Sequence, residues 1–232
     1  MRSIGAATTP IPYKTIDIEG FLMFVLGETV CQPQGVKATI LPCRDIDVAT
    51  LEHHNPSPSV HSFHARRFAN QTLGDSTYLV AWRERVPVGR AEIKWDGCAD
   101  DTVKNAHPGV PEINGLEVFP ETLRGNGLGT QLVTAAETEA TARGLDRIGL
   151  GVAQANPAAR RLYERLGYHG THTYLDRYSC LDSLGTWHHF ADACVFLSKP
   201  LPRQRSRVAA TSLVARLRAA LTGARPHGPR HM

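Results

Sequence analysis

Apolar positions change period near the middle of the chain, and that change predicts its central element. Leu116, Val118 and Phe119 read as an extended segment that Pro120 stops. Beyond it Leu128, Leu132, Val133, Ala136 and Ala140 recur three, four or seven apart, the spacing of one helix face. Arg124, Gly125, Gly127 and Gly129 lie between, so a glycine-rich turn hands a strand to a helix. A second helix is predicted at 156–166, with Asn156 as N-cap, Pro157 at the first helical position and Gly167 as the stop. Its Ala159, Leu162, Tyr163 and Leu166 make one apolar face, and the alternating Ile148, Leu150 and Val152 before it predict a strand.

The other elements follow the same logic. Val36 to Leu41 reads as a strand and Arg44 to Leu51 as a helix start. Thr77–Arg83 and Pro87–Trp95 read as a hairpin around Glu84 and Arg85. Asp96 to Pro108 is expected to be a polar loop and Pro111 to Phe119 the central strand. Tyr168 to Tyr178 and Asp192 to Lys199 read as the last two strands, joined by a loop through Ser183, Gly185 and Trp187.

The turn at 124–129 carries chemistry. A helix N-terminus has unpaired N–H groups and roughly half a unit of positive charge, and glycine lets an anion reach that backbone. A P-loop is excluded, because Thr130 and Gln131 follow Gly129 where Lys-Ser/Thr is needed. A dinucleotide fingerprint is excluded by the spacing of Gly125, Gly127 and Gly129. What remains is Arg-x-x-Gly-x-Gly, as Arg124, Gly127 and Gly129, after a Leu-x-Val-x-Pro strand. This resembles the pyrophosphate loop of the GNAT superfamily of acyl-CoA-dependent N-acyltransferases. The segment Asn156-x-x-Ala159-x-x-Leu162-Tyr163-x-x-x-Gly167-Tyr168 resembles the second cofactor segment of the same superfamily, at the expected distance of about 30 residues.

The resemblance covers about residues 35–200. It implies an α/β (α+β) GNAT fold, a mixed, mostly antiparallel sheet of about seven strands with helices on both faces. The first strand and the two helices after it would then form the wall facing the acceptor. It further implies an N-acetyltransferase that moves the acetyl group of acetyl-CoA to a primary amine by direct attack in a ternary complex. A non-catalytic acyl-CoA-binding sensor or scaffold is the alternative.

The backbone of Gly125, Asn126, Gly127, Leu128, Gly129 and Thr130 would hold the pyrophosphate, with Arg124 adding charge. The backbone of Leu116 and Val118 would pair with the pantetheine arm, and the Val118 N–H would lie near the thioester oxygen. Asn156 would bond the cofactor, although an N-cap explains it equally well. Tyr163 would be the acid that assists the leaving thiolate. Glu112, six residues before Val118 and by simple alternation on its face, is the candidate base. Glu117, on the opposite face, and a water are the alternatives. The resemblance also admits a homodimer.

The 42% hydrophobic content fits a globular chain of 232 residues, and no apolar run approaches the ~20 residues of a membrane span. Phe21 to Gly27 is short and follows Asp17 and Glu19, so it does not read as a signal peptide. Residues 1–34, with Pro10, Pro12 and Pro33, read as an N-terminal extension in which Met23 is an alternative start. Cys31, Cys43, Cys98, Cys180 and Cys194 form no C-x-x-C pair, which argues against zinc or a disulfide framework and for a cytoplasmic protein.

His53, His54, His61 and His64 would allow a metal site, since His61 and His64 share a helical face, but the preferred reading is a surface loop and an exposed helix. His188 and His189 read the same way, so no metal is assigned. Residues 201–232 carry seven arginines and no acid, which leaves 19 basic against 22 acidic residues in the body. That tail reads by default as disordered with transient helix, and a tether to nucleic acid or an anionic membrane and a helix for a protein partner are the alternatives.

Overall fold

The computed structural model describes residues 37–202. The expected N-terminal extension and nearly all of the basic tail lie outside the described residues.

Seven strands form one sheet in the order β1-β2-β3-β4-β5-β7-β6. They are β1 Thr39–Pro42, β2 Ser76–Arg83, β3 Val86–Lys94, β4 Glu112–Val118, β5 Arg147–Ala153, β6 His169–Leu181 and β7 Trp187–Pro200. All neighbours pair antiparallel except β4 and β5, which are parallel. The helices are α1 Asp47–His54, α2 Phe63–Leu73, α3 Asp101–Ala106, α4 Leu128–Ala142 and α5 Pro157–Arg165. The segment expected to be a polar loop thus contains α3. Its start is fixed by Asp100, whose carboxylate accepts from the N–H groups of Thr102 and Val103.

Alternation along the central strands sorts the core onto two faces. Leu79, Ala81, Ala91, Ile93, Ile113 and Val118 pack with Leu128, Leu132, Val133 and Ala136 of α4 and with Tyr163 of α5. Tyr78 and Val80 point the other way, to Leu51 of α1 and Phe68 of α2. Val103 of α3 packs with Cys98, Val110 and Phe196. The sheet is therefore covered on both faces.

Two sequence expectations are corrected here. The last strand begins at Trp187 rather than near Asp192, and β6 runs on to Leu181. Residues 175–193 pair with each other but not with β5, whose register on β7 ends at Ala153↔Cys194. This two-stranded ribbon is largely exposed, so no in–out pattern marks it in the sequence. Near its tip, the Leu181 carbonyl accepts from the Ser59 hydroxyl (2.8 Å) and the Val60 N–H (3.1 Å), which ties the ribbon to the α1–α2 segment.

His64 is the second correction. It is fully buried, with Nδ1 against the Tyr78 hydroxyl and Nε2 2.8 Å from the Asn55 carbonyl. His61 precedes the α2 N-cap Ser62 and shares no helical face with it. No group of metal-ligating side chains exists among the described residues.

Candidate functional site

The parallel pair β4–β5 is joined only at Glu112↔Gly149 and Ile113↔Leu150. Past that point the strands separate, and the reason lies in β4. Between Asn114 and Glu117, which face Glu92 and Arg90, β4 has two residues where β3 has one. Gly115 sits in this bulge at φ +57°, a conformation glycine adopts without strain.

Two guanidiniums clamp the bulge. Arg90 donates to the Gly115 carbonyl (2.8 Å) and to Glu117 (2.7 Å). Arg67 donates to Glu92 (3.0 Å) and Asn114 (3.3 Å). The Arg90 guanidinium stacks on Phe63, 4.3 Å from the ring centroid, and burial pulls its pKa down to about 10. Glu117 also accepts from Asn55 at the end of α1, so α1, β3 and the bulge form one network.

The extra residue reverses the parity of the strand. Leu116 and Val118 join Ile113 on the α4 face, while Glu112, Asn114 and Glu117 share the α1–α2 face. The expectation that Glu112 shares a face with Leu116 and Val118, with Glu117 opposed, is thus corrected. Backbone direction is a separate matter. The Phe119 N–H bonds Val88 of β3, so alternation turns the N–H groups of Leu116 and Val118 to the β5 side, into the gap.

The glycine-rich turn stands at the end of this gap. Gly125 and Gly127 adopt φ +78° and +84°, and beyond their chain neighbours nothing comes within 4 Å of where their Cβ atoms would lie. Gly127 caps α4, whose first helical bond runs from the Gln131 N–H to the Gly127 carbonyl, so the N–H groups of Leu128, Gly129 and Thr130 have no partner within the helix. A Cβ on Gly129 would lie 3.3 Å from Leu162 and 3.9 Å from Leu116, so α5 packs close against this turn. Asn126 bonds the carbonyls of Leu123 and Arg124 and stabilises the loop. Arg124 is half-exposed, bonded to Glu121 (2.8 Å) and the Val118 carbonyl (3.3 Å). The concave backbone has the positive potential and the free space that a phosphate requires.

Asn156 caps α5, its Oδ1 accepting from the Ala159 N–H at 3.0 Å. Tyr163 is 7% exposed, and burial raises its hydroxyl to about 12. Glu112 is 3% exposed, with Lys94 at 3.8 Å and Asn114 at 3.4 Å. Burial, reinforced by Asp176, raises its carboxyl above the ordinary range, and Lys94 only partly opposes this. On the same face a recess of about 610 Å³ opens beside Lys94, lined also by Asn70, Ser76, Glu92 and Asp96. The structure therefore brings the turn, the β4 edge and α5 to one gap and sets Glu112, one of the last paired residues, at its base. Sequence reasoning missed the Arg67 and Arg90 clamp, whose only signal was two arginines at positions of no evident periodicity.

A strand that pairs with its parallel neighbour over only two residues and leads to a helix start with open N–H groups forms a cleft with a place for an anion at its end. Residues 43–168 match the model of the acetyltransferase (GNAT) family, and the chain belongs to that family. A segment of 59 residues is 46% identical to mycothiol acetyltransferase from Thermobispora bispora, covering 25% of this chain and 20% of that enzyme, so the match spans about a fifth of that relative's length. Among solved structures, the chain resembles the ribosomal-protein-S18-alanine N-acetyltransferase of Escherichia coli (TM-score 0.52, 18% identity, 73% of this chain and 97% of that one). It also resembles a phosphinothricin acetyltransferase from Sinorhizobium meliloti in complex with acetyl-CoA (TM-score 0.53, 20% identity, 74% and 95%). At these identities the structural likeness shows the fold.

Proposed function

We propose that the protein transfers the acetyl group of acetyl-CoA to a primary amine by direct attack in a ternary complex. The observation that carries this reading is the gap between β4 and β5, which exposes the N–H groups of Leu116 and Val118 and leads to the open turn at Gly125 and Gly127. The complex of the Sinorhizobium meliloti neighbour with acetyl-CoA supports the choice of donor.

In this reading the N–H groups of Gly125 to Thr130 hold the pyrophosphate, and Arg124 exchanges Glu121 for a phosphate oxygen. The Val118 N–H stabilises the developing oxyanion, a contribution of about 3 kcal/mol for one such donor. Asn156 keeps α5 in register through its cap, and its amide nitrogen is available to the cofactor.

Glu112 removes the proton from the ammonium form of the acceptor. An alkylamine titrates near 10, so a carboxylate with a raised pKa lies closer to it than an ordinary one. Tyr163 assists departure of the thiolate. A phenol at about 12 is protonated throughout the working range. Against a thiol near 8.5, complete proton transfer from it would be roughly 5 kcal/mol uphill, so Tyr163 acts as a hydrogen-bond donor to the leaving sulfur.

The test is Tyr163→Phe, assayed with acetyl-CoA and thiol detection on a panel of primary amines. The expected loss in kcat is roughly a hundredfold to a thousandfold, as for one lost donor to developing charge, with little change in acetyl-CoA affinity. Full kcat with chemistry rate-limiting would remove Tyr163 from the mechanism.

A further inference from the structure

Tyr174 belongs to β6, and both β7 and β5 lie between it and β4. Its side chain nevertheless reaches the base of the gap. A Cβ at Gly151 of β5 would lie 2.0 Å from the Tyr174 hydroxyl oxygen and 3.7 Å from Glu112 Oε1. The hydroxyl and the carboxylate therefore converge over Gly151, and only the missing side chain there makes room for the ring. Gly149 plays the same part for Phe196, whose ring would lie 2.3 Å from an added Cβ.

Cys98, in the segment after β3, completes the group. It is 4% exposed and packs in one cluster with Phe196, Val110 and Tyr174, which brings its thiol into the electrostatic reach of both Glu112 and Tyr174. The donor order of hydrogen bonds among them follows from chemistry, because an ionised carboxylate only accepts. The Cys98 S–H would donate to Glu112, and the Tyr174 O–H to the Cys98 sulfur.

We propose that Tyr174 and Cys98 are positioning residues for Glu112, a two-link relay of hydrogen bonds that holds its carboxylate toward the gap in the ionised form. This rests on the reading of Glu112 as the base. The other groups that face the carboxylate are accounted for. Lys94 comes from β3, Asn114 from β4, Asp176 from β6 and Cys194 from β7, while Arg67 of α2 acts through Asn114. Of these, Lys94 at 3.8 Å and Asn114 at 3.4 Å lie at or beyond ordinary hydrogen-bond length, so neither satisfies the carboxylate fully and a further donor has a place. Burial raises the Cys98 thiol to about 11, so it keeps its proton at the pH where the enzyme works. A relay that donates to the carboxylate opposes the burial that would otherwise neutralise the base.

The test needs no acceptor. The full-length protein, labelled with ¹³C at the glutamate carboxyl carbon, is titrated by NMR, with the Glu112 signal assigned by its loss in Glu112→Gln. Tyr174→Phe keeps the ring, and Cys98→Ala removes the direct donor. The Glu112 midpoint is expected to rise by roughly half a unit to one unit in Cys98→Ala and by less in Tyr174→Phe, with Cys98→Ser restoring it. Should Cys98→Ala fail to fold, Tyr174→Phe and Cys98→Ser carry the comparison. A midpoint unmoved in folded Tyr174→Phe and Cys98→Ala would overturn the relay. Full turnover by Glu112→Gln would overturn the base reading instead, a result distinguishable because the midpoint is measured without turnover.

Discussion

Replacing Gly115 by alanine tests the clamp on the β4 bulge. Two costs add. At φ +57° an L-residue is strained by about 1–2 kcal/mol. The new methyl group would also lie 2.2 Å from Arg67 Nη2 and 3.1 Å from Arg90 Nη1, so a guanidinium must move. Arg67 has little freedom, being 9% exposed and bonded to Glu92 and Asn114. Displacing it strands a buried carboxylate and loses a charge-assisted bond, about 1.5–3 kcal/mol. Gly115→Ala should thus lose roughly 2.5–5 kcal/mol by urea unfolding. The control is Gly109→Ala, where φ is +71° but nothing beyond the chain neighbours comes within 4 Å, so only the backbone cost of about 1–2 kcal/mol remains. Acetyl-CoA affinity, read by calorimetry, should fall in the first variant and hold in the second. Equal unfolding free energies for the two would refute the clamp.

Three further outcomes are expected. Gly127→Asp keeps the left-handed backbone, which Asp tolerates, and places a carboxylate in the open cradle, so acetyl-CoA affinity should fall more than about tenfold with a near-native melting temperature; calorimetry showing native affinity would sink the cradle. Because the Glu112 pKa is raised on folding, its neutral form is favoured in the native state, and the stability this gives below the unfolded value of 4.5 is lost as pH rises through the folded pKa. Glu112→Gln should therefore gain in melting temperature relative to the native protein as pH rises across that window, and a pH-independent difference would contradict the buried carboxylate. Ending the chain after Pro202 removes seven arginines but keeps Leu201, which is 6% exposed and bonded to the Asp146 carbonyl. The melting temperature should stay within a few degrees while salt-sensitive retention on nucleic acid or anionic vesicles disappears, as a paired binding and melting experiment would establish.

What the sequence determined by itself was whatever local chemistry dictates. Asn156, Pro157 and Gly167 specify the ends of α5 through caps that involve only their neighbours, and the structure places α5 at Pro157–Arg165. The handover from β4 to α4 was legible because Gly125 and Gly127 are needed for their own positive φ angles. Tertiary structure decided the rest, because the deciding contacts join residues far apart in sequence. Alternation alone put Glu112 with Val118; the bulge at Gly115, held by arginines from α2 and β3, placed them on opposite faces. His64 looked like surface until Tyr78 and the Asn55 carbonyl supplied both of its nitrogens with partners. The length of β6 and β7 could not be read, since an exposed ribbon buries no face and leaves no period. Tyr174 carries no signal of its own beside Glu112, because their meeting depends on strand order and on the space that Gly151 leaves empty.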